Sequence, residues 1–421
     1  MKVMVIGNGG REHAIAWKLA QSPLVSQIYC TPGNGGTAPF AKNVALDSIP
    51  AMADFAAQHR IELTVVGPDA YLAEGTVDVF QKKGLKVYGP TQAAARLESS
   101  KVFAKQFMKR HGIPTARFES FDEPAAARRY IEEIGAPVVV KADGLAAGKG
   151  VIIAPDVATA VAAVDRIMTD RIFGDSGAAV VIEEYLEGEE ASLLAFCDGT
   201  TAVPMIPAQD HKCIGEGDTG PNTGGMGTYA PTGAFTPEMA DRVNREILNP
   251  TMRAMREEGT PFVGTLFLGL MLTKTGPKVI EYNARFGDPE TQVVLPLLKS
   301  DLARILLAAC EGQLDSEPVQ WENHKSAVCV VAASGGYPGS YQTGKPIAGL
   351  DSVRDSLVFH AGTKLGADGT VVTAGGRVLN VVHLGSDIRD AVAGAYRSLE
   401  LIRFDGMYYR KDIAWRELAR G

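Results

Sequence analysis

The chain has 421 residues, of which 46% are hydrophobic and 22% charged, and its formal net charge is −7. This length predicts about three domains, and the acidic balance excludes a broad basic surface for nucleic acid. Five cysteines without a CxxC pair predict neither a disulfide framework nor a zinc site. No apolar run reaches the roughly 18 residues that span a membrane, and the N-terminal apolar stretch is too short for a signal peptide. We therefore expect a cytoplasmic protein without membrane or nucleic-acid partners, and a monomer is compatible with the sequence.

Strands and helices alternate over the first hundred residues. Short apolar runs at 3–6, 27–30, 61–66 and 85–88 each end in a turn rich in glycine or proline, and segments with helical spacing separate them. This alternation predicts a Rossmann-like open parallel sheet in a first domain of residues 1–100. Ligands of such sheets bind at the carboxyl ends of the strands, which is where these turns fall.

The rest of the chain divides into four further segments. Residues 101–121 form a connection, and the helix predicted at 99–110 leads into it. Residues 122–187 predict an α+β lid with two strands around a glycine-rich loop. Residues 188–325 carry the polar motifs of a central subdomain. Residues 326–421 combine short β runs with a helix, which predicts a small mixed C-terminal domain. The predicted fold class is α/β.

The turn Gly7-Asn8-Gly9-Gly10 follows the first predicted strand. A dinucleotide-binding fingerprint would require glycine at position 12, which is Glu12, and an acidic residue at the end of the second strand. What remains is a cup of backbone amides before a helix, suited to one phosphate, with Arg11 beside it. The alternative is an ordinary tight turn.

The segment 144–150, GLAAGKG, is one residue shorter than a P-loop and lacks its Ser/Thr. It also joins two predicted strands, whereas a P-loop joins a strand to a helix. A glycine-rich hairpin that includes Gly148 and is flanked by Lys141 and Lys149 could close over a triphosphate while the lysines neutralise its charge. The alternative is a flexible hairpin with solvated lysines.

An acidic segment, 183–190, follows the last predicted lid strand. We interpret it as an adenosine site in which backbone groups at 184–186 meet the adenine edge. Glu190 or Glu189 would then accept hydrogen bonds from the ribose hydroxyls. The alternative is a solvated acidic turn. The segment's candidate nucleotide-binding residues are Glu183, Glu184, Tyr185, Leu186 and Glu190.

A long polar, glycine-dense stretch runs from 209 to 227 and begins with QDHK. Such a stretch is either a disordered linker or a binding loop, and its compact set of Asp, His, Lys and Asn favours a binding loop. Its candidate site residues are Asp210, Lys212, Asn222, Thr223 and Gly224.

The segment 278–290, KVIEYNARFGDPE, carries the strongest chemical signal. On a strand, Glu281 and Asn283 point to the same face, and their oxygens are hard ligands suited to Mg²⁺ bridging nucleotide phosphates. Arg285 is predicted on that face too, where its guanidinium could hold a phosphoryl group or a carboxylate. A buried structural ion pair is the alternative. The pattern predicts a phosphoryl-transfer site.

Taken together, these motifs resemble those of the ATP-grasp ligases and, within them, the glycinamide ribonucleotide synthetase family. The resemblance runs along the whole chain and is most specific in DTGPNTGGMG at 218–227 and NARFGDPETQ at 283–292. GNGGREH at 7–13, PGNGGTA at 32–38, KADGLAAGKGV at 141–151, FHAGTK at 359–364 and GGRVL at 375–379 also fit. It implies an ATP-grasp architecture and an ATP-dependent ligase that joins glycine to 5-phosphoribosylamine through glycyl phosphate.

The resemblance also implies residue roles. Lys101 and Lys141 would contact ATP phosphates, Glu281 and Asn283 would bind Mg²⁺ or Mn²⁺, and Arg285 would stabilise the transition state, with Lys141 and Asp288 as further catalytic candidates. Glycine or phosphoribosylamine would lie near Asp210, Asn222 and Asp288, and the ribose phosphate near Gly9, Gly10 and Arg11. Two positions depart from the family pattern, because Cys213 stands where an arginine is usual and Asp69 lies in an altered GPEAPL-like segment.

Three alternatives remain open at this point. Another ATP-grasp carboxylate–amine ligase or carboxylase would share the lysines and the metal pair but differ in the 218–227 loop. The evidence for a nicotinamide oxidoreductase would be the Gly7 turn alone. A catalytically inactive ATP-binding scaffold is disfavoured because Lys141, Glu281, Asn283 and Arg285 are all present.

Overall fold

A computed structural model describes residues 1–146 and 150–420. Its N-terminal part is a five-stranded parallel sheet in the order β3-β2-β1-β4-β5. Residues 3–6 at its centre are fully buried, as expected for a parallel strand covered on both faces. The predicted parallel sheet is confirmed. Its elements are β1 (Lys2–Gly7), α1 (Gly10–Leu19), β2 (Gln27–Pro32), β3 (Lys42–Asn43), α2 (Ile49–His59), β4 (Leu63–Val66), α3 (Asp69–Ala73), α4 (Thr76–Lys82) and β5 (Val87–Tyr88).

Two helices lead out of this sheet, α5 (Gln92–Ser99) and α6 (Lys101–His111). Ser100 separates them in an extended conformation, and its hydroxyl accepts a hydrogen bond from the amide of Phe103, 3.0 Å away. The helix predicted at 99–110 was therefore placed too early, because Ser100 is an N-cap and not part of the helix. This cap places Lys101 in the first turn of α6.

The lid is an antiparallel sheet in the order β6-β9-β7-β8. Its first strand, at 118–121, precedes the predicted lid boundary at 122 and was missed. Helix α8 continues into a single π-helical turn at Asp165–Thr169. Buried side chains of α7, α8 and the sheet form a separate core, so the lid is a distinct packing unit. Its elements are β6 (Phe118–Phe121), α7 (Pro124–Ile134), β7 (Val138–Ala142), β8 (Val151–Ala154), α8 (Val157–Val164) and β9 (Val180–Glu184).

The central part is an antiparallel sheet in the order β11-β10-β16-β17. The polar stretch that was predicted as a loop contains an antiparallel ribbon, β13 with β14. The elements are β10 (Glu189–Asp198), β11 (Ala202–Pro204), β12 (Gln209–Asp210), β13 (Cys213–Gly215), β14 (Thr219–Asn222), β15 (Gly227–Ala230), α9 (Pro237–Val243), α10 (Asn249–Glu257), β16 (Val263–Thr273), β17 (Gly276–Asn283), α11 (Thr291–Val294) and α12 (Leu302–Glu311).

The C-terminal sheet has the order β12-β15-β18-β22-β19, with β23 paired to β18. Strands β12 and β15 come from residues before 326, so this sheet extends across the predicted domain boundary. The polar stretch is thereby anchored in the C-terminal sheet at both ends. The remaining elements are β18 (Ser326–Ser334), β19 (Leu357–His360), β20 (Thr363–Leu365), β21 (Val371–Thr373), β22 (Arg377–Gly385), α13 (Ile388–Leu399), β23 (Met407–Tyr408) and α14 (Trp415–Arg420).

One continuous core joins the N-terminal sheet to the central and C-terminal parts. It includes buried side chains from β1, β10, α12, β18 and β19, such as Val5, Leu194, Leu306, Cys329 and Phe359. Packing in this shared core therefore fixes the positions of residues that line a site between these parts. No helix in the described part of the chain is long and apolar enough to cross a membrane.

Candidate active site

A cavity of about 610 Å³ lies where the lid, the central sheet and both terminal parts meet. We divide its functional side chains into two groups. The nucleotide half comprises Lys101, Lys105, Lys141, Glu183–Leu186, Glu190, Lys212, Glu281 and Asn283. The acceptor half comprises Arg11, Asp69, Asp210, Asn222–Gly224, Arg285, Asp288, Glu290, Tyr337 and Arg377. The predicted residues Gly148 and Lys149 lie outside the described residues.

Two buried lysines share one carboxylate in the nucleotide half. The Nζ atom of Lys105 lies 2.8 Å from Glu183 Oε2, and that of Lys141 lies 2.9 Å from Glu183 Oε1. Lys141 also donates to the carbonyl of Ile280 at 3.0 Å. Burial lowers the pKa of Lys105 to about 8 and lowers the pKa of nearby Lys101. Clustered buried lysines of this kind suit a polyanionic ligand such as a triphosphate.

Strand β9 delivers the predicted adenosine segment to the cavity, since Glu184, Tyr185 and Leu186 all line it. The carboxylate of Glu184 is engaged, because it accepts from Arg117 Nε at 2.8 Å and from Lys278 Nζ at 3.0 Å. Burial raises the pKa of Glu184, but these hydrogen bonds outweigh it and lower the pKa to about 2. The amide of Glu184 also donates to the carbonyl of Arg117 at 2.9 Å, so the backbone of Tyr185 and Leu186 is the better candidate for an adenine edge.

The two acids predicted as alternatives for ribose are separated by the pleat of β10. Glu190 lines the cavity, and its Oε2 lies 2.5 Å from Lys212 Nζ. Glu189 instead accepts from Gln209 Nε2 at 2.9 Å and pairs with Arg420. The geometry thus favours Glu190 over Glu189 as a ribose acceptor.

Strand β17 carries the candidate metal ligands, with Glu281 opposite Gly269 on the neighbouring strand. A Cβ atom at Gly269 would approach the Glu281 side chain to 3.2 Å, so glycine leaves room for it. The irregular pairing of β16 and β17 falls before Glu281, and Glu281 and Asn283 therefore share a face and both line the cavity.

The donor set of Glu281 and Asn283 fits a small hard cation. Burial raises the pKa of Glu281, but the charges of Lys212, Lys141 and Lys101 outweigh it and lower the pKa, which keeps an anionic oxygen available. The described residues contain no group of three or more His, Cys, Asp or Glu arranged to hold a metal. Two protein ligands with phosphate oxygens and water as the others match the way Mg²⁺ is bound with nucleotides.

Arg285 lies beyond the end of β17, so its predicted place on the strand was wrong, yet its side chain still lines the cavity. Its Nη2 donates to Asn283 Oδ1 at 3.1 Å and lies 3.0 Å from Glu98 Oε1. The other carboxylate oxygen of Glu98 accepts from the amide of Ala284 at 2.7 Å. Glu98, which we did not predict, therefore fixes both the arginine and the end of the metal-ligand strand.

The predicted phosphate cup at the start of α1 differs from expectation. The amide of Gly9 donates to Glu12 Oε2 at 2.6 Å, as in a capping box. Gly10 is buried against Asn380, and neither glycine lines the cavity. Arg11 does line it, and its Nη1 donates to the carbonyl of Phe286 at 3.2 Å. The side chain of Glu12 occupies the place that a phosphate would need at Gly9.

Side chains from the C-terminal part close the acceptor half. Arg377 Nη1 donates to the carbonyl oxygens of Gly224 at 2.7 Å and Asp288 at 2.9 Å. The hydroxyl of Tyr337 accepts from the amide of Gly224 at 3.2 Å. Burial raises the pKa of Asp288, but Arg377 and Arg11 outweigh it and lower the pKa. Arg377 thus ties the 218–227 stretch to the loop after β17.

Two departures from the family pattern fall at different places. Cys213 does not line the cavity; its Sγ lies 3.4 Å from Asn222 Oδ1, and its carbonyl accepts from Arg410 Nη1 at 3.0 Å. Asp69 does line the cavity, at the start of α3. The altered segment around Asp69 therefore forms part of the lining of the acceptor half.

Sequence reasoning missed Glu98, Lys105, Glu290, Tyr337 and Arg377. Lys105 follows Lys101 by one helical turn, and this i, i+4 spacing was a usable signal. Glu290 lies within the segment that carries the metal ligands, where its charge was visible. Tyr337 and Arg377 come from distant parts of the chain; Arg377 lies in the GGRVL motif at 375–379, but nothing in the sequence placed that motif beside the 218–227 stretch.

Three models of one protein family match most of the chain. Residues 1–98 match the family described as "Phosphoribosylglycinamide synthetase, N domain", residues 99–291 its ATP-grasp (A) domain and residues 327–416 its C domain. The phosphoribosylamine–glycine ligase of Escherichia coli K12 is 52% identical over 427 aligned residues, covering 100% of this chain and 99% of the relative. That of Caldanaerobacter subterraneus is 50% identical, covering 98% and 99%.

Solved structures show the same architecture. The crystal structure of phosphoribosylamine–glycine ligase from Thermotoga maritima has a TM-score of 0.85 at 36% identity and covers 98% of this chain and 100% of that one. A biotin carboxylase from Campylobacter jejuni, at 15% identity and a TM-score of 0.74, covers 100% and 98% and shares the fold. The chain therefore belongs to the phosphoribosylglycinamide synthetase family of ATP-grasp proteins.

Proposed function

We propose that this chain is an ATP-dependent carbon–nitrogen ligase that joins glycine to 5-phosphoribosylamine, giving glycinamide ribonucleotide, ADP and phosphate. Family membership along nearly the whole chain and the printed name of its relatives support this reaction. The observation that carries it is one cavity in which buried lysines, a pair of hard oxygen ligands and Arg285 meet an acceptor half built by three parts of the chain.

The chemistry explains why such a cavity is needed. A carboxylate oxygen is a poor leaving group, so the γ-phosphoryl group of ATP is first transferred to glycine, giving glycyl phosphate and ADP. The ribosylamine nitrogen then attacks the carbonyl carbon, the bond to the phosphate oxygen breaks, phosphate leaves and the nitrogen loses a proton. Lys101 and Lys141 hold the ATP phosphates, and Arg285 neutralises charge on the carboxylate and the transferring group.

The lid has a chemical reason to close over this site. An acyl phosphate reacts readily with water, so water must be excluded between the two steps. The lid has its own core and contributes Lys141, Leu145, Ile153 and Tyr185 to the cavity. Its movement as a unit would cover the nucleotide half without disturbing the acceptor half.

ATP-grasp enzymes use ATP with a divalent metal, and we propose Mg²⁺, with Mn²⁺ as a substitute, held by Glu281 and Asn283. The ion would supply charge neutralisation for the nucleotide phosphates. A neighbouring fold member, a biotin carboxylase domain from Hydrogenobacter thermophilus, was solved with MgADP.

We also propose a cytoplasmic location, because the similar curated proteins are bacterial ligases and the five cysteines are free thiols. We also propose that the monomer suffices for activity. Activity assayed across fractions of a sizing column would test this.

The decisive experiment measures ADP release with ATP and Mg²⁺, with phosphoribosylamine made in situ and a panel of amino acids. We expect release that requires both glycine and the ribosylamine. Release with another amino acid, or without the ribosylamine, would contradict the proposed acceptors. Folded protein that binds ATP but releases no ADP with any member of the panel would contradict the reaction itself.

A further inference from the structure

The antiparallel ribbon of β13 and β14 carries residues of the cavity wall at its open end. Lys212 directly precedes the ribbon and Asn222 ends it, and both line the cavity. The two strands are only three and four residues long, and all of their residues are at least partly exposed. A two-stranded ribbon of this size is marginally stable by itself in water. Contacts with other parts of the chain must therefore fix where its cavity-lining residues stand.

The far end of the ribbon is bound by one arginine of the C-terminal segment. The side chain of Arg410 is fully buried, and its Nη1 donates to the carbonyl of Cys213 at 3.0 Å and to Asp218 Oδ1 at 2.9 Å. Its Nε and Nη2 donate to the two carboxylate oxygens of Asp412 at 2.8 and 2.7 Å. Asp412 in turn accepts from the amide of Gly217 at 2.8 Å. Arg410 thus holds β13 directly, and it holds the turn between the strands both directly and through Asp412.

The turn that Arg410 holds has an unusual backbone. Gly217 and Asp218 have φ values of 66° and 57°, and the left-handed region is uncommon for a residue that has a Cβ atom. Arg416 also contacts the carboxylate of Asp218, so two guanidinium groups face the carboxylates of Asp218 and Asp412. This charge-balanced set of hydrogen bonds stabilises a conformation that the turn would rarely adopt alone.

The segment that carries Arg410 is itself attached to the packed C-terminal part. The hydroxyl of Tyr396, on α13, donates to the carbonyl of Arg410 at 2.8 Å and accepts from the amide of Ile413 at 3.1 Å. The amide of Ala414 donates to Nε2 of His211 at 2.9 Å, and His211 is fully buried just before the ribbon. Helix α13 and the C-terminal segment therefore fix the ribbon at its turn and at its entry.

We propose that Arg410 is a positioning residue for the small substrates, which holds the ribbon so that Asn222–Gly224 form a wall of the acceptor half. Arg410 and Asp218 lie outside the cavity lining, so Arg410 acts through the ribbon and not by contact with a substrate. The nucleotide half is less dependent on it, because Lys212 is also bound to Glu190 on β10. This inference rests on the proposed function, because the substrates concerned are glycine and phosphoribosylamine.

The test compares Arg410→Ala with native protein and with Lys345→Met. Lys345 is the control for a lost cation in the C-terminal part, since its Nζ pairs with Asp405 at 3.0 Å outside the cavity lining. With phosphoribosylamine made in situ, we would measure kcat and the KM values for glycine, phosphoribosylamine and ATP. We expect Arg410→Ala to raise the KM of at least one small substrate about 5- to 30-fold, a range typical of residues that act without touching the ligand. The value of kcat and the KM for ATP should stay within about 2-fold.

Two further readouts separate positioning from general destabilisation. Guanidinium ion, added far below denaturing concentrations, should lower the raised KM, because it can bind Asp218 and Asp412 in the space that alanine leaves. Sodium chloride at equal concentration is the control and should have no such effect. Amide hydrogen exchange should become faster at 211–224 in the variant and stay unchanged in the lid.

Other outcomes overturn the inference. Native KM values for both small substrates, or an equal rise in the KM for ATP, would show that Arg410 does not position the acceptor half. A raised KM that guanidinium leaves unchanged, or faster exchange throughout the C-terminal part, would indicate a general loss of structure. If Arg410→Ala does not fold, Asp412→Asn provides the same kinetic and exchange readouts, because Asp412 accepts from both Arg410 and Gly217. Native protein without ADP release that requires glycine and the ribosylamine would instead contradict the proposed function, while hydrogen exchange would still report on the ribbon.

Discussion

The nucleotide half and the acceptor half of the cavity are assembled in different ways. In the nucleotide half, most functional groups lie on neighbouring strands and on the first turns of α6, and they bond to one another, as Lys105, Lys141 and Glu183 do. In the acceptor half, Arg11, Asp288 and Arg377 come from the N-terminal, central and C-terminal parts of the chain. The first half depends on local strand geometry, whereas the second depends on how the parts pack together.

The two halves should therefore respond differently to substitution. A change in the nucleotide half should alter phosphoryl transfer while the fold persists, because the central sheet is buried independently of these side chains. A change in the acceptor half should alter binding of the small substrates and leave ATP binding intact. Four experiments, using substitutions or pH, test whether the two halves act separately.

The largest expected effect is that of Glu281→Ala. Losing one of the two proposed protein ligands to the metal should reduce kcat on the order of 1,000-fold, since several kcal/mol of charge stabilisation would be lost. Thermal unfolding should remain close to native, because Glu281 faces the cavity. A titration of activity with Mg²⁺ is the measurement. Native-like activity of the variant at limiting Mg²⁺ would remove Glu281 as a ligand.

Arg285→Met should come next, with kcat reduced about 100- to 1,000-fold, as when a charge-stabilising donor is lost. The affinity for ATP, measured by isothermal calorimetry, should change little if Arg285 acts on the transferring group. Substitution also frees the buried carboxylate of Glu98, so the double variant Arg285→Met/Glu98→Gln separates this electrostatic cost from the chemical one. Equal losses of ATP affinity and kcat would assign Arg285 to the nucleotide instead.

Arg377→Met tests the acceptor half. The substitution removes the hydrogen bonds to Gly224 and Asp288 and the charge near the Asp288 carboxylate. We expect the KM for phosphoribosylamine to rise about 10-fold while the KM for ATP stays native. Arg304→Met is the control, since Arg304 pairs with Glu317 away from the cavity. A rise in the KM for ATP would show that the two halves are not separable in this way.

The smallest expected effect is on the pH dependence of stability, and it arises where the N-terminal and C-terminal parts of the chain are in contact. His13 Nδ1 accepts from the amide of His360 at 2.8 Å, and burial lowers the pKa of His13 to about 3 and that of His360 to about 4. Both values lie below the ordinary 6.5, so the unfolded chain binds more protons, and stability is lost as the pH falls from about 6.5 to about 4.

Urea unfolding of native protein and of His13→Gln between pH 5 and pH 8 would measure this effect. Each histidine contributes a slope of at most about 1.4 kcal/mol per pH unit. Glutamine can retain the hydrogen bond from His360 but does not titrate, so the variant should show a flatter dependence. An unchanged slope would mean that His13 is not what couples this interface to pH.

Several sequence predictions survive because they depend on short-range geometry. The two lid strands predicted around the glycine-rich loop are present as β7 and β8, and Glu281 and Asn283 share one face because side chains alternate along a strand. Predictions failed where one residue has a different structural role from the one that the sequence pattern indicated. Ser100 is the N-cap of α6, so this helix begins at Lys101 and not at Ser99. The amide of Gly9 donates to the carboxylate of Glu12, and β17 ends before Arg285.

The α/β class, the glycine-rich turns and the candidate metal-ligand pair could be predicted from the sequence because they depend on local patterns of apolar runs, turns and alternating side chains, and the family followed from motifs spread along the whole chain. The tertiary structure was needed to show that Glu190 lines the cavity and Glu189 does not, and that Arg377 and Tyr337 close the acceptor half. Such contacts join residues far apart in the chain, and whether a carboxylate is compensated depends on every charge that folding brings near it.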